Sequence, residues 1–232
     1  MRRAPHGIEN AVAERSSDAV HHWERWISEI IADFWSVARV GITSTLGLIG
    51  GVSLPRPFVF RLQLDDPHPL PWIRVKLSCA LGHALYPHAQ WNALSRRWDS
   101  FYPTDGLGED TRRLLGRLVA SIPEFLRVLP NHQPAALRGR SLMEVMAVQD
   151  RQPAQLGAHY QRWRSHPPQM YRAQPSLVFA ALGQARADGR LSPEQESTIL
   201  AQLLTQWALH SALDTSALCA TLPTMRPSAP VT

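Results

Sequence analysis

The stretch Ile27 to Val37, ISEIIADFWSV, restricts the fold of this chain more than any other segment. Trp23, Ile27, Ile30, Phe34 and Val37 repeat with the 3.6-residue period of an α-helix. Ile31 and Trp35 carry the apolar surface round to the other side, so the helix should be largely buried. Yet Glu29 and Asp33 stand one turn apart on one face. Like charges at that spacing repel, and burying either carboxylate unpaired is strongly unfavourable. A fold that buries this helix has to bring positive charge to the pair, and Arg25, Arg39 and Arg74 are candidates.

The remaining periodicity is also helical. The first helix is expected from about Ser17 to Arg39, with Ser16 or Ser17 as cap and Asp18 in its first turn. Further helices are expected at about 88–101, 109–129, 153–164, 175–187 and 193–212; WIRVKLSCALGHAL (Trp72 to Leu85) fits helix or strand, and its length favours helix. The sharpest boundary is ADGRLSPEQES, where Gly189 ends one helix and Ser192 caps the next. Pro193 then takes the first helical position and Gln195 closes a capping box. The 19 prolines keep elements short. Two segments leave the pattern open. VGITSTLGLIGGVSL (Val40 to Leu54) is uncharged but too short to span a bilayer, and reads as a buried hairpin or an interfacial segment. FVFRLQL (Phe58 to Leu64) fits a strand or a short helix equally. The expected fold class is all-α, an irregular helical array with at most one short hairpin. Its divisions are a flexible N-terminus 1–16, a helical region 17–104, a helical C-terminal region 105–218 and a disordered tail 219–232.

Composition excludes several function classes. A net charge of +5 comes without a Lys/Arg run of five or a basic stripe interleaved with aromatics, so nucleic acid is not the expected partner. Lys76 is the only lysine, and the arginine excess reads as compositional bias. Cys79 and Cys219 are too far apart and too isolated for a zinc ribbon or a redox pair. MRRAPHGIEN has no apolar core behind its arginines, so no signal peptide is expected. A cytoplasmic protein without a membrane span, making at most peripheral membrane contact, is the resulting expectation.

Few motifs carry chemistry. ADGRLSPEQE echoes half a calcium loop, but a cation there would find Asp188 as its one carboxylate, and calcium needs several. No two of the ten histidines have the H-E-x-x-H spacing that puts two metal ligands and a base on one helix face. The chain also lacks G-x-S-x-G, a P-loop and a dinucleotide fingerprint.

The acid pair itself bears a family resemblance. E-I-I-A-D, Glu29 to Asp33, resembles the E-x-x-x-D helix of the gluzincin zinc metallopeptidases, closest to the group of heat-shock and CAAX prenyl proteases. In DPHPLPWIR, His68, Pro69 and Arg74 are similar to the H-P…R motif that opens a later helix in that group. The resemblance implies Glu29 as a zinc ligand, Asp33 as the carboxylate that orients a ligating histidine, and His68 and Arg74 near the substrate side of the cleft. It covers about residues 20–85. The chain departs from the family in lacking the H-E-x-x-H helix, and with it two ligands and the general base; His6, His21 and His22 do not replace them. Zinc is therefore expected only if the missing ligands are supplied from elsewhere. The expectation is a truncated or degenerate metallopeptidase-like protein without peptidase activity. The alternative is a helical module for an unidentified protein or peptide partner, with Glu29 and Asp33 paired to arginine.

Overall fold

The first described residues are helical, within the segment where the periodicity places a helix. Residues 19–25 (α1) and Ile27–Val40 (α2) are joined by helical hydrogen bonds across Trp26, from Trp26 N to His22 O and from Ile30 N to Trp26 O. The structure, a computed structural model, describes residues 19–62, 66–146 and 148–221. The N-terminal segment with its caps Ser16 and Ser17, and the tail from residue 222, lie outside the described residues.

α2 buries Ile30, Phe34, Val37 and Ala38. Trp35 departs from the expected burial: it is 53% exposed, and the Arg39 guanidinium lies 6.0 Å from its ring centroid. The cation lies over a ring that is half exposed to solvent. Gly41, at φ +60°, then turns the chain. Few side chains tolerate that conformation, and a Cβ here would also stand 3.4 Å from that of Arg151.

The hairpin suggested between Val40 and Leu54 does not form. Ile42–Val52 is helix α3. A Cβ at Gly47, Gly50 or Gly51 would meet nothing within 4 Å, so these glycines mark neither turns nor close contacts. Their low helix propensity, about 1 kcal/mol each, is opposed by burial of Ile42 and Thr45 and by packing of Leu48, Ile49 and Val52 on the core. FVFRLQL supplies the end of a one-turn helix, Arg56–Val59 (α4); Gln63 and Leu64 lie outside the described residues.

The longer helices follow as Pro71–Leu85 (α5), Ala89–Phe101 (α6) and Glu109–Val128 (α7). The short Leu142–Met146 (α8), Pro153–Ser165 (α9), Pro167–Arg172 (α10), Pro175–Ala187 (α11) and Pro193–Thr221 (α12) complete the chain. Five of them start on a proline, whose fixed φ suits the first turn and whose missing N–H is not needed there. No strand occurs among the described residues, and the fold is all-α.

The buried apolar side chains form three clusters. One unites Trp23, Trp26, Phe34, Ile73, Leu77, Trp98, Leu115 and Leu118, with α5 packed between α2, α6 and α7. A second holds Leu156, Tyr160, Trp163, Val178, Leu182 and Leu203 of α9, α11 and α12. A third, smaller one holds Val37, Ile42, Tyr86 and Trp91. α11 lies against α2 and α3. Contact is so close there that a Cβ on Gly183 would fall 2.0 Å from Thr43 Oγ1. The connection near residue 150 is tied to the end of α2: Arg151 Nε donates to Arg39 O at 2.8 Å, and the Tyr86 hydroxyl is shared between Ala38 O and Gln149 O. Among the described residues no helix is long and apolar enough to cross a membrane.

Candidate functional site

The four residues singled out in the sequence come together at one corner. Glu29 lies in the first turn of α2 and Asp33 one turn on. Pro69, Leu70 and Pro71 bring the chain into α5, with Leu70 extended at φ −55°, ψ 140° and Pro71 opening the helix. This puts Arg74 in the first turn of α5, facing α2.

Arg74 spans both acids. Its Nε donates to Asp33 Oδ2 at 2.7 Å and its Nη2 to Asp33 Oδ1 at 2.9 Å, a two-pronged bond. Nη2 also donates to Glu29 Oε2 at 3.1 Å. Of the three candidate arginines, Arg74 meets the requirement set by the acid pair. Side-chain exposures are 17% for Arg74, 16% for Asp33 and 30% for Glu29, so the pairing is mostly shielded from water. The Asp33 hydrogen bond, opposed by desolvation, holds the Arg74 guanidinium above its ordinary pKa, and the charge of both acids adds to this. The guanidinium stays charged at any working pH.

His68 stands on the solvent side, 53% exposed. Its ring Nδ1 is 2.8 Å from Asp66 Oδ1, and its backbone N–H donates to the same oxygen at 2.9 Å. An ionised carboxylate only accepts, so Nδ1 carries a proton. The backbone N–H first, then the ring, hold the Asp66 carboxyl below its ordinary range. Nε2 points to Glu29, 3.6 Å from Oε1. The result is a polar chain from Asp66 through His68, Glu29 and Arg74 to Asp33.

The donor set does not fit a protein-held zinc ion. Glu29 and the Nε2 side of His68 amount to two ligands, where a zinc enzyme uses three and leaves one position open. No cluster of three or more His, Cys, Asp or Glu suited to a metal exists among the described residues. A guanidinium 3.1 Å from Glu29 Oε2 further opposes a second cation. Asp33, given a histidine to orient by the family resemblance, serves Arg74 instead. The carboxylate on the histidine ring is Asp66.

Sequence reasoning missed Asp66. Its signal was local: in D-P-H an aspartate can accept the N–H two residues on and fix a turn. It also missed Gln184, a buried polar residue whose Nε2 donates to Gln90 Oε1 at 2.9 Å and to Asp188 Oδ1 at 2.8 Å. No family model matches the chain, and no curated protein or solved structure matches it.

Proposed function

We propose that this chain is a degenerate, metallopeptidase-like helical protein that binds a protein or peptide partner and does not hydrolyse peptides. The observation that carries the reading is the Arg74 guanidinium across Glu29 and Asp33. It supplies the positive charge that a metal would otherwise bring, and it uses the same carboxylate lone pairs. Without H-E-x-x-H the chain also lacks a base to activate water. The meeting of His68 and Arg74 with Glu29 and Asp33 supports the gluzincin resemblance, because two motifs far apart in sequence share one corner.

Binding has a surface available to it away from this corner. A cavity of about 780 Å³ lies between α1 and α7, walled by Trp23, Ile27, Phe125 and Leu129. Val20 and Val128 at its edge are about half exposed. Apolar surface of this kind suits apolar side chains of a partner segment.

The test is a zinc titration of the purified protein, followed by melting temperature and by cleavage of a mixed peptide substrate. No saturable stabilisation and no cleavage are expected. A saturable zinc-dependent rise in melting temperature that Glu29→Gln removes would overturn the reading, as would zinc-dependent cleavage.

A further inference from the structure

A second cavity, of about 530 Å³, opens between α3, α6 and α11, over the small cluster that includes Ile42. Ile42, Leu46 and Leu94 give it an apolar floor. Its rim is of a different character. Arg97 comes from α6, Arg186 from the last turn of α11, and His88 from the N-cap of α6. His88 Nδ1 accepts the Gln90 N–H at 3.3 Å, so the proton of the neutral ring sits on Nε2, which is left as a donor.

The acids nearby are already engaged. Asp188 lines the cavity, but its Oδ1 accepts from Gln184 Nε2 and its Oδ2 lies 3.7 Å from Arg190 Nε. Gln184 is itself fixed by exchange of hydrogen bonds with Gln90, at 2.9 and 3.4 Å, which makes this wall rigid. Arg186 Nε is 3.6 Å from Glu196 Oε2, beyond hydrogen-bond length. Among the described residues Arg97 makes no ion pair. An arginine without an ion-pair partner among the described residues thus borders an apolar floor.

We infer that this cavity binds a small amphiphilic carboxylate. The head group lies on Arg97, with His88 and Arg186 beside it, and the hydrocarbon chain covers Ile42, Leu46 and Leu94. The guanidinium fork of Arg97 matches the two oxygens of a carboxylate. The volume is that of an ordinary small-molecule site. The inference is independent of the function proposed above.

Octanoate is the probe, with acetate and 1-octanol as the head-only and tail-only controls. Calorimetric titration of the full chain should show saturable octanoate binding, and each control should bind at least about tenfold more weakly. Arg97→Gln should weaken octanoate by about tenfold or more without changing the melting temperature of the unliganded protein. Val128→Asp, at the other cavity, should leave octanoate affinity unchanged. Equal affinity for octanol and octanoate, undiminished binding to Arg97→Gln, or loss of binding in Val128→Asp would each overturn the assignment.

Discussion

Replacing Arg74 by methionine keeps much of the side-chain length and removes the charge. Glu29 and Asp33 then face each other one turn apart with no counter-ion, in a site shielded mostly from water. Removing one partner of a fully buried ion pair costs roughly 3–5 kcal/mol, largely because the other charge is stranded. Here Glu29 still reaches solvent, which screens part of the penalty, so we expect about 2–3 kcal/mol. For a chain of this size that corresponds to a fall of roughly 4–12 °C in melting temperature. Urea unfolding followed by tryptophan fluorescence measures the loss directly, and Trp72 on α5 lies two residues from the substitution. The decisive comparison is the variant with Glu29→Gln, Asp33→Asn and Arg74→Met together. With all three charges gone, most of the stability should return, since a buried ionic group can be exchanged for neutral side chains at little net cost. An Arg74→Met protein within about 0.5 kcal/mol of the parent would refute the assignment of Arg74 as compensating charge. A triple variant no more stable than Arg74→Met would show that the loss comes from packing instead.

Gly183→Ala should destabilise by about 1–3 kcal/mol through overlap with Thr43, and Thr43→Ala added to it should recover part of the loss in the same urea assay. Ser192→Ala removes the acceptor of the Gln195 N–H at 3.2 Å and should cost about 1 kcal/mol, seen as a lower urea midpoint. Burial pushes the Cys79 thiol up to about 12. The unfolded thiol ionises near its ordinary value and the folded one does not, so this stability is complete below about pH 8.5 and is lost as pH rises toward 12. Unfolding free energies between pH 8 and 11 should therefore fall less steeply in Cys79→Ala than in the parent. Carboxyl NMR should place the Asp66 midpoint below that of an ordinary aspartate. His68→Ala should raise it only part of the way, because the larger cause is the backbone N–H, which the substitution keeps.

The sequence made some of this architecture readable because its signals are local. The capping box at Ser192 and Gln195 forms as read, with Ser192 N–H donating to Gln195 Oε1 at 3.0 Å and Gln195 N–H returning to Ser192 Oγ. Gly189 takes the positive φ expected after a helix. The helices α8 and α10, of one or two turns, carry too few residues for a period to show. α3 was misread because glycine lowers helix propensity locally, while the apolar contacts that oppose this come from distant segments. The acid pair illustrates the same division. That Glu29 and Asp33 need a cation follows from their spacing alone, but the choice of Arg74 over Arg25 or Arg39 depends on α5 lying against α2. Asp66 and Gln184 have partners set by a turn and by a packed helix, and neither stands out in a pattern of charge or hydrophobicity.

The contacts that tie α11 and the connection near residue 150 to α2 and α3 span long stretches of chain. Arg151 reaches a carbonyl 112 residues earlier, and the Thr43 hydroxyl bonds to Phe179 O across 136 residues. The first cluster needs long closures as well, for Trp23 Nε1 donates to Ser121 Oγ across 98 residues, and contacts between distant segments wait on a costly chain closure. The core thus depends on bringing distant segments together, and the chain should fold more slowly than a bundle closed only by contacts between neighbouring helices.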